Sequence, residues 1–152
     1  MMTYEEYMLI SDKTEKIEKS IAPCGLICDL CSERTHCKGC NFSKDEEIGC
    51  LCYQRKCAEE KNIKGCWDCE EFCCGKDMHN PDEHGIRLVA FVRFAKENGL
   101  HKLAECIVNN EKDGVIYHRD HVNYTGDYDN FNTEDEVIEL LMKGNLKEDA
   151  KQ

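Results

Sequence analysis

The sequence predicts a small α-rich protein in which a loop-dominated, zinc-stapled cysteine-rich half packs with C-terminal helices and contains little strand. Three observations lead to this prediction. The chain has 152 residues, which suits about one ordinary domain. Twelve of its 13 cysteines lie between Cys24 and Cys74. Apolar residues recur at helical spacing on both sides of that segment.

Composition and charge limit the kinds of molecule that the protein is expected to bind. Charged residues make up 34% of the chain and hydrophobic residues 41%, as in globular proteins and unlike disordered chains. The net charge of −11 opposes binding to phosphate backbones and to anionic lipid, so we expect no nucleic acid and no membrane partner. Neither an apolar run of about 20 residues nor a signal-peptide pattern is present, and we therefore expect a cytoplasmic protein.

Residues 1–23 form the first predicted unit, an N-terminal helix. Thr3 and Glu6 have the spacing of a capping box, and the apolar residues that follow recur at roughly helical intervals. The pattern predicts one charged helix over about 3–20, packed on the rest of the protein through its apolar face.

Residues 24–74 form the second predicted unit, a cysteine-rich metal-binding region. This segment has few apolar side chains and no sustained periodicity, so it cannot bury enough carbon to fold alone. A structural zinc site supplies about 10–16 kcal/mol of apparent binding free energy in small peptides. That contribution is comparable with the whole net stability of a domain, about 5–15 kcal/mol.

Residues 75–146 form a helical C-terminal region. Asn80 and Pro81 carry the start signal of a helix that ends at Asn98, and its dense apolar content predicts burial on more than one side. A second helix is predicted over about 100–110, with Cys106 as a small apolar core residue.

The last part of this region is predicted to contain a short strand at 115–117, an irregular loop and a third helix. Thr133 and Glu136 form a second capping box that opens this helix, which ends at Gly144. Residues 147–152 are expected to be a polar tail.

The spacing of the cysteines indicates metal binding. Three pairs have two intervening residues, which lets both sulfurs reach one cation at about 2.3 Å. These pairs are Cys28 with Cys31, Cys37 with Cys40, and Cys66 with Cys69. In a reducing compartment, crowded thiols persist as metal-bound thiolates rather than as disulfides. We expect two or three zinc ions per chain.

Two alternatives stay open at this stage. Cys24, Cys28 and Cys31 have the spacing with which radical-SAM enzymes hold a four-iron cluster, so an iron–sulfur or thiol redox enzyme is the first alternative. The strand and helix alternation of such enzymes is absent after Cys31. A hydrolase or sensor that uses His118 and His121 beside a metal is the second.

Four blocks of the sequence resemble the Domain of Unknown Function family 3795. They are APCGLICDLC at 22–31, CKGC at 37–40, CYQRKCAEEK at 52–61 and CWDCEEFCC at 66–74. Members of that family are small cysteine-rich bacterial and archaeal proteins, and the last block commonly ends in Glu-Phe-Pro-Cys. The match therefore aligns Cys74 with the expected ligand and places Cys73 where proline usually stands.

The resemblance implies a cytoplasmic protein that is expected to bind zinc and has no established activity. The metal ligands implied by spacing and resemblance together are Cys24, Cys28, Cys31, Cys37, Cys40, Cys52, Cys57, Cys66, Cys69 and Cys74. Closed thiolate sites leave no open coordination position, so we expect a structural metal, no catalytic residues and a role in binding a protein partner.

Three further side chains near these blocks have predicted roles. Trp67 lies between Cys66 and Cys69 in the sequence and is expected to cover the metal centre. His79 and His84 flank the predicted start of a helix, where capping or exposure to solvent is expected.

Overall fold

The computed structural model of the chain describes residues 4–27, 53–70, 72, 74–76, 79–80, 82, 86–117, 126–129 and 131–143. These residues contain six α-helices and no β-strand, so the predicted α-rich class with little strand is confirmed. The helices are α1 (Tyr4–Met8), α2 (Lys13–Ser20), α3 (Tyr53–Lys61), α4 (Arg87–Asn98), α5 (Leu100–Lys112) and α6 (Glu134–Lys143). Among the described helices, none is long and apolar enough to cross a bilayer.

The N-terminal segment forms two helices where the sequence predicts one continuous helix over 3–20. The break lies between α1 and α2, where the Asp12 carboxylate accepts a hydrogen bond of 2.8 Å from the backbone N–H of Glu15. An N-cap of this kind begins a new helix instead of continuing the previous one. Tyr7 of α1 and Ile17 of α2 are both fully buried, whereas Leu9 in the connection is 84% exposed.

Helix α4 is the centre of the core, and α5 and α6 both pack against it. Its residues from Arg87 to Ala95 are buried, apart from Arg93, which confirms the prediction of burial on more than one side. The helix ends at Asn98, as predicted. Its regular part begins at Arg87, and residues 81 and 83–85 of the predicted helix lie outside the described part of the chain.

One core joins the three predicted sequence units. Ile17 and Ile21 from the first unit and Ile27 from the second pack in the same cluster as Phe91 and Phe94 of α4. Helix α2 lies against α5, where Cys106 is buried in the core as predicted. Burial raises the pKa of the Cys106 thiol, which keeps it in its neutral form.

The predicted strand at 115–117 is wrong, because no strand forms there. Tyr117 is held by side-chain contacts: its hydroxyl accepts a hydrogen bond of 2.9 Å from the backbone N–H of Ile27, and the Arg87 guanidinium lies 4.7 Å from the centre of its ring. The second capping box is confirmed, since the Thr133 hydroxyl accepts from the backbone N–H of Glu136 and donates to its carboxylate.

Replacement of Asn110 by Ala tests the junction of α5 and α6. The Asn110 amide is buried and donates to the Tyr128 hydroxyl and to the Leu140 carbonyl, both at 3.0 Å. Because Asn110→Ala leaves these acceptors without their donor, it should lower the free energy of unfolding by about 1–3 kcal/mol in chemical denaturation. Asn109→Ala, at the exposed neighbouring position, is the control; equal losses would contradict the assignment.

A pH-dependent contact joins α2 and α5. The hydrogen bond of 2.8 Å from His101 to the Glu18 carboxylate raises the pKa of His101, with smaller contributions from the charges of Glu18, Glu105 and Asp12. The pair therefore stabilises the fold fully below the unfolded-state pKa of about 6.5, and this stabilisation is lost as the pH rises through the higher folded-state pKa.

An NMR titration of the His101 ring measures this effect. In Glu18→Gln the pKa of His101 should fall toward its ordinary value, because the hydrogen-bonded carboxylate is gone. Glu15→Gln, on the same helix, should leave it unchanged. An unaltered pKa in Glu18→Gln would show that the contact does not form.

Candidate metal centre

Four of the predicted ligands line one small cavity of about 50 Å³. This cavity, called the cysteine cavity below, is lined by Gln54, Cys57, Lys61, Cys66, Cys69, Phe72, Cys74, Lys76 and His79. Three stretches of chain supply these residues: α3, the turn around Cys66, and the segment that precedes α4. The volume has room for an ion or a few water molecules.

Helix α3 presents one face to the cavity. Gln54, Cys57 and Lys61 are spaced by three and four residues, which places them on the same side of an α-helix. Gln54 is 1% exposed, and its amide donates a hydrogen bond of 2.6 Å to the carbonyl of Lys76. This bond joins α3 to the segment that carries Cys74.

A single 3₁₀ turn at Cys66–Asp68 presents two further sulfurs, those of Cys66 and Cys69. The backbone N–H of Cys69 donates to the Cys66 carbonyl at 3.1 Å, and residues three apart lie above one another in such a turn. A Cβ at Gly65 would overlap the Trp67 ring, so a larger residue there would force the ring to move. Trp67 packs against the main core rather than lining the cavity, which differs from the predicted covering role.

Hydrogen bonds to backbone carbonyls tie the cavity to the rest of the protein. The N–H of Cys66 donates to the Pro23 carbonyl at 3.0 Å, and the Lys96 ammonium of α4 donates to the Cys69 carbonyl at 3.1 Å. The imidazole of His79 bonds to the Cys24 carbonyl at 3.0 Å. The cavity is thus held against α4 and against residues 22–27.

Positive and polar groups face the sulfurs. The Lys61 ammonium lies 3.3 Å from the Cys69 sulfur and donates a hydrogen bond to it, and Lys76 also lines the cavity. The amide nitrogen of Gln54 is 4.0 Å from the Cys74 sulfur. The Lys61 ammonium is a counterpart to the net negative charge that a zinc ion would carry when thiolates hold it.

The donor set fits zinc by its chemistry. Sulfur and imidazole donors are those that zinc prefers. Within the described residues, however, no three or more possible ligands already form a group that could hold a metal ion. Sulfurs at about 2.3 Å from zinc in a tetrahedron lie about 3.8 Å apart, so the sulfurs of the cavity would have to close on the ion.

The other predicted ligands are distributed differently. Cys24 is 1% exposed and clusters with Ala22 and Leu88, away from the cavity lining. The remaining predicted ligands lie outside the described residues, namely Cys28, Cys31, Cys37, Cys40 and Cys52. His118 and His121 also lie outside them, so the iron–sulfur and histidine alternatives stay predictions.

Five residues that line the cavity were not predicted as part of a site, namely Gln54, Lys61, Phe72, Lys76 and His79. His79 is 1% exposed, so the expectation of capping or solvent exposure is wrong. Its burial depends on contacts with Cys24 and Phe72 that no local pattern reveals. For Gln54 and Lys61 a signal does exist, because both stand at helical spacing from Cys57.

Comparisons of the chain with protein-family models, with curated proteins and with solved structures give no match. The resemblance described above therefore depends on the sequence blocks alone.

Gly25 brings the first cysteine segment into contact with α4. Its φ of +96° is a left-handed conformation that favours glycine. A Cβ at this position would lie 2.9 Å from Cγ2 of Val92 and 3.1 Å from the carbonyl oxygen of Leu88. Both the backbone conformation and the available space therefore require glycine.

Gly25→Ala should lower the free energy of unfolding by about 2–4 kcal/mol, since backbone strain and overpacking add. Gly114→Ala is the matched control: its φ is +91° and a Cβ there would meet nothing within 4 Å, so about 1–2 kcal/mol of strain alone is expected. Denaturation of both variants gives the comparison. Equal losses would show that the contact with α4 has no energetic weight.

Proposed function

We propose that this protein binds zinc through its cysteines, that the metal is structural, and that the assembled surface binds a protein partner. The observation that supports this proposal is the convergence of Cys57, Cys66, Cys69 and Cys74 on one cavity. These residues are separated by up to 17 positions in the chain, and the sequence alone predicts each of them as a ligand.

The chemistry of the thiols supports a metal-binding role. The six cysteines with described side chains are not joined in disulfides, and four of them meet at the cavity. The Lys61 ammonium donates a hydrogen bond of 3.3 Å to the Cys69 sulfur, so a positive charge lies beside one of the proposed donors. We place the protein in a reducing cytoplasm, where cysteines remain available to a cation.

The proposed number of ions is two or three. One ion would be held at the cysteine cavity by residues that line it. Further ions would be held by the predicted ligands of the preceding segment, with Cys24, Cys28, Cys31, Cys37, Cys40 and Cys52 as the candidates. A site closed by four protein ligands leaves no position for a substrate, which favours a structural over a catalytic metal.

A partner that is itself a protein agrees with the surface. Met8 and Leu9 are 47% and 84% exposed, which places two adjacent apolar side chains in water. The net charge of −11 disfavours nucleic acid as the partner. Burial of these side chains against another protein would release their hydration water.

Elemental analysis of protein purified without oxygen tests the metal proposal. The native protein should be colourless and contain two or three zinc ions per chain. Cys66→Ala and Cys69→Ala should each lose one ion, because each removes a donor from the cysteine cavity. Cys106→Ala is the matched control, since Cys106 lies in the core of α5 and should leave the zinc content unchanged.

Two results would overturn the proposal. A folded protein that contains no transition metal after anaerobic purification would exclude a structural ion. A brown protein that contains iron and acid-labile sulfide would instead support the redox alternative, because iron–sulfur clusters absorb visible light and zinc thiolates do not.

A further inference from the structure

We propose that His79 coordinates the cation of the cysteine cavity through Nδ1, together with Cys57, Cys66 and Cys69, and that the exposed Cys74 lies outside the coordination sphere. This inference depends on the proposed metal function and goes beyond it, since it replaces a predicted sulfur ligand with a nitrogen ligand.

The tautomer of His79 follows from its hydrogen bond. Nε2 lies 3.0 Å from the carbonyl oxygen of Cys24, and a carbonyl oxygen can only accept, so Nε2 carries the hydrogen. In a neutral imidazole the lone pair is then on Nδ1. Histidines that bind metals commonly donate the other ring N–H to a backbone carbonyl in this way.

The orientation of the ring is fixed from two sides. The bond to Cys24 holds one edge of the imidazole, and the ring of Phe72 meets it edge to face at 5.6 Å between centroids. His79 is 1% exposed and lines the cysteine cavity. A ligand that is already oriented loses little conformational entropy when the cation binds.

Cys74 differs from the other donors in its exposure. It is exposed to solvent, whereas Cys66 is buried and Cys57 and Cys69 are half-buried. The amide of Gln54 lies 4.0 Å from its sulfur. The cavity thus has five candidate donors for four tetrahedral positions. Cys57, Cys66 and Cys69 take three of them, and we assign the fourth to the buried imidazole of His79 rather than to the exposed sulfur of Cys74.

The net charge of the site also favours three thiolates and one imidazole as the ligands. Zinc with four thiolates carries two negative charges, and zinc with three thiolates and a neutral imidazole carries one. The Lys61 ammonium at 3.3 Å from the Cys69 sulfur balances a single negative charge. In a chain with a net charge of −11, the less negative site is also opposed by less repulsion from the rest of the protein.

NMR of the metal-loaded protein tests the assignment without a mutation. Zinc is replaced by an NMR-active cadmium isotope, and histidine is labelled with nitrogen-15. We expect a scalar coupling between cadmium and the ring of His79, with the exchangeable ring hydrogen on Nε2. His101, which is exposed on α5, is the internal control and should show no coupling.

Variants give a second, independent measurement in the cobalt-loaded protein. Cys74→Ala should retain the number of ions and the intensity of the sulfur-to-cobalt charge-transfer band. Cys57→Ala should either lower the intensity of that band by the contribution of one thiolate or lose the ion. His79→Cys should raise the intensity, because it adds a thiolate at the same position.

The outcomes separate this inference from the proposal on which it depends. Cadmium bound to the protein without coupling to His79, or a weaker charge-transfer band in Cys74→Ala with the ion retained, would overturn the inference and leave the metal function intact. Failure to bind zinc, cadmium and cobalt at any site would overturn both.

Discussion

The contact between the cysteine-rich segment and helix α4 is the constraint on which the described structure depends. Gly25 allows the backbone of the first cysteine turn to approach Val92, and the Cys66–Asp68 turn packs against the same helix. The Lys96 ammonium then fixes the Cys69 carbonyl. Helix α4 also forms the centre of the apolar core. A segment that is poor in apolar side chains therefore takes its position from a helix that is rich in them.

Energetic coupling between the core and the cavity follows from this arrangement. Ile27, close to the first cysteine turn, packs in the same cluster as Phe91, and its backbone N–H bonds to the hydroxyl of Tyr117. The carbonyl of Cys24 is bonded to His79 at the cavity. Residues that share packing neighbours in this way do not contribute independently to stability. Ordering of the cavity by a cation would therefore also strengthen the attachment of residues 22–27 to α4.

Local patterns were sufficient for much of the fold. The capping box at Thr133, the end of α4 at Asn98 and the burial of Cys106 all follow from spacing within one helix. The division of the N-terminal helix was missed because the Asp12 cap competes with an apolar repeat that continues through it. The predicted strand at 115–117 was wrong because Tyr117 is held by contacts with Ile27 and Arg87, which are distant in sequence.

For the candidate site too, relations within one turn could be predicted from the sequence, and contacts between distant segments could not. The spacing of Cys66 and Cys69 was enough to predict two adjacent donors, since one turn determines their relation. The grouping of Cys57 with them, and the burial of His79, depend on three segments that meet only in the folded chain. The spacing of residues along the sequence does not show which distant segments come into contact in the folded chain. It identified which residues could be ligands, whereas the structure groups four of them.

The bond from Lys96 to the Cys69 carbonyl has an evolutionary consequence. In a zinc finger, every metal ligand lies within one short stretch of sequence, and the metal supplies the folding energy of that stretch. Here an anchor of the cavity comes from the end of a helix 27 residues further along the chain. The cavity is therefore not a portable unit. Its inheritance requires that α4 be inherited with it, and insertions between residues 75 and 86 must preserve the distance between the two.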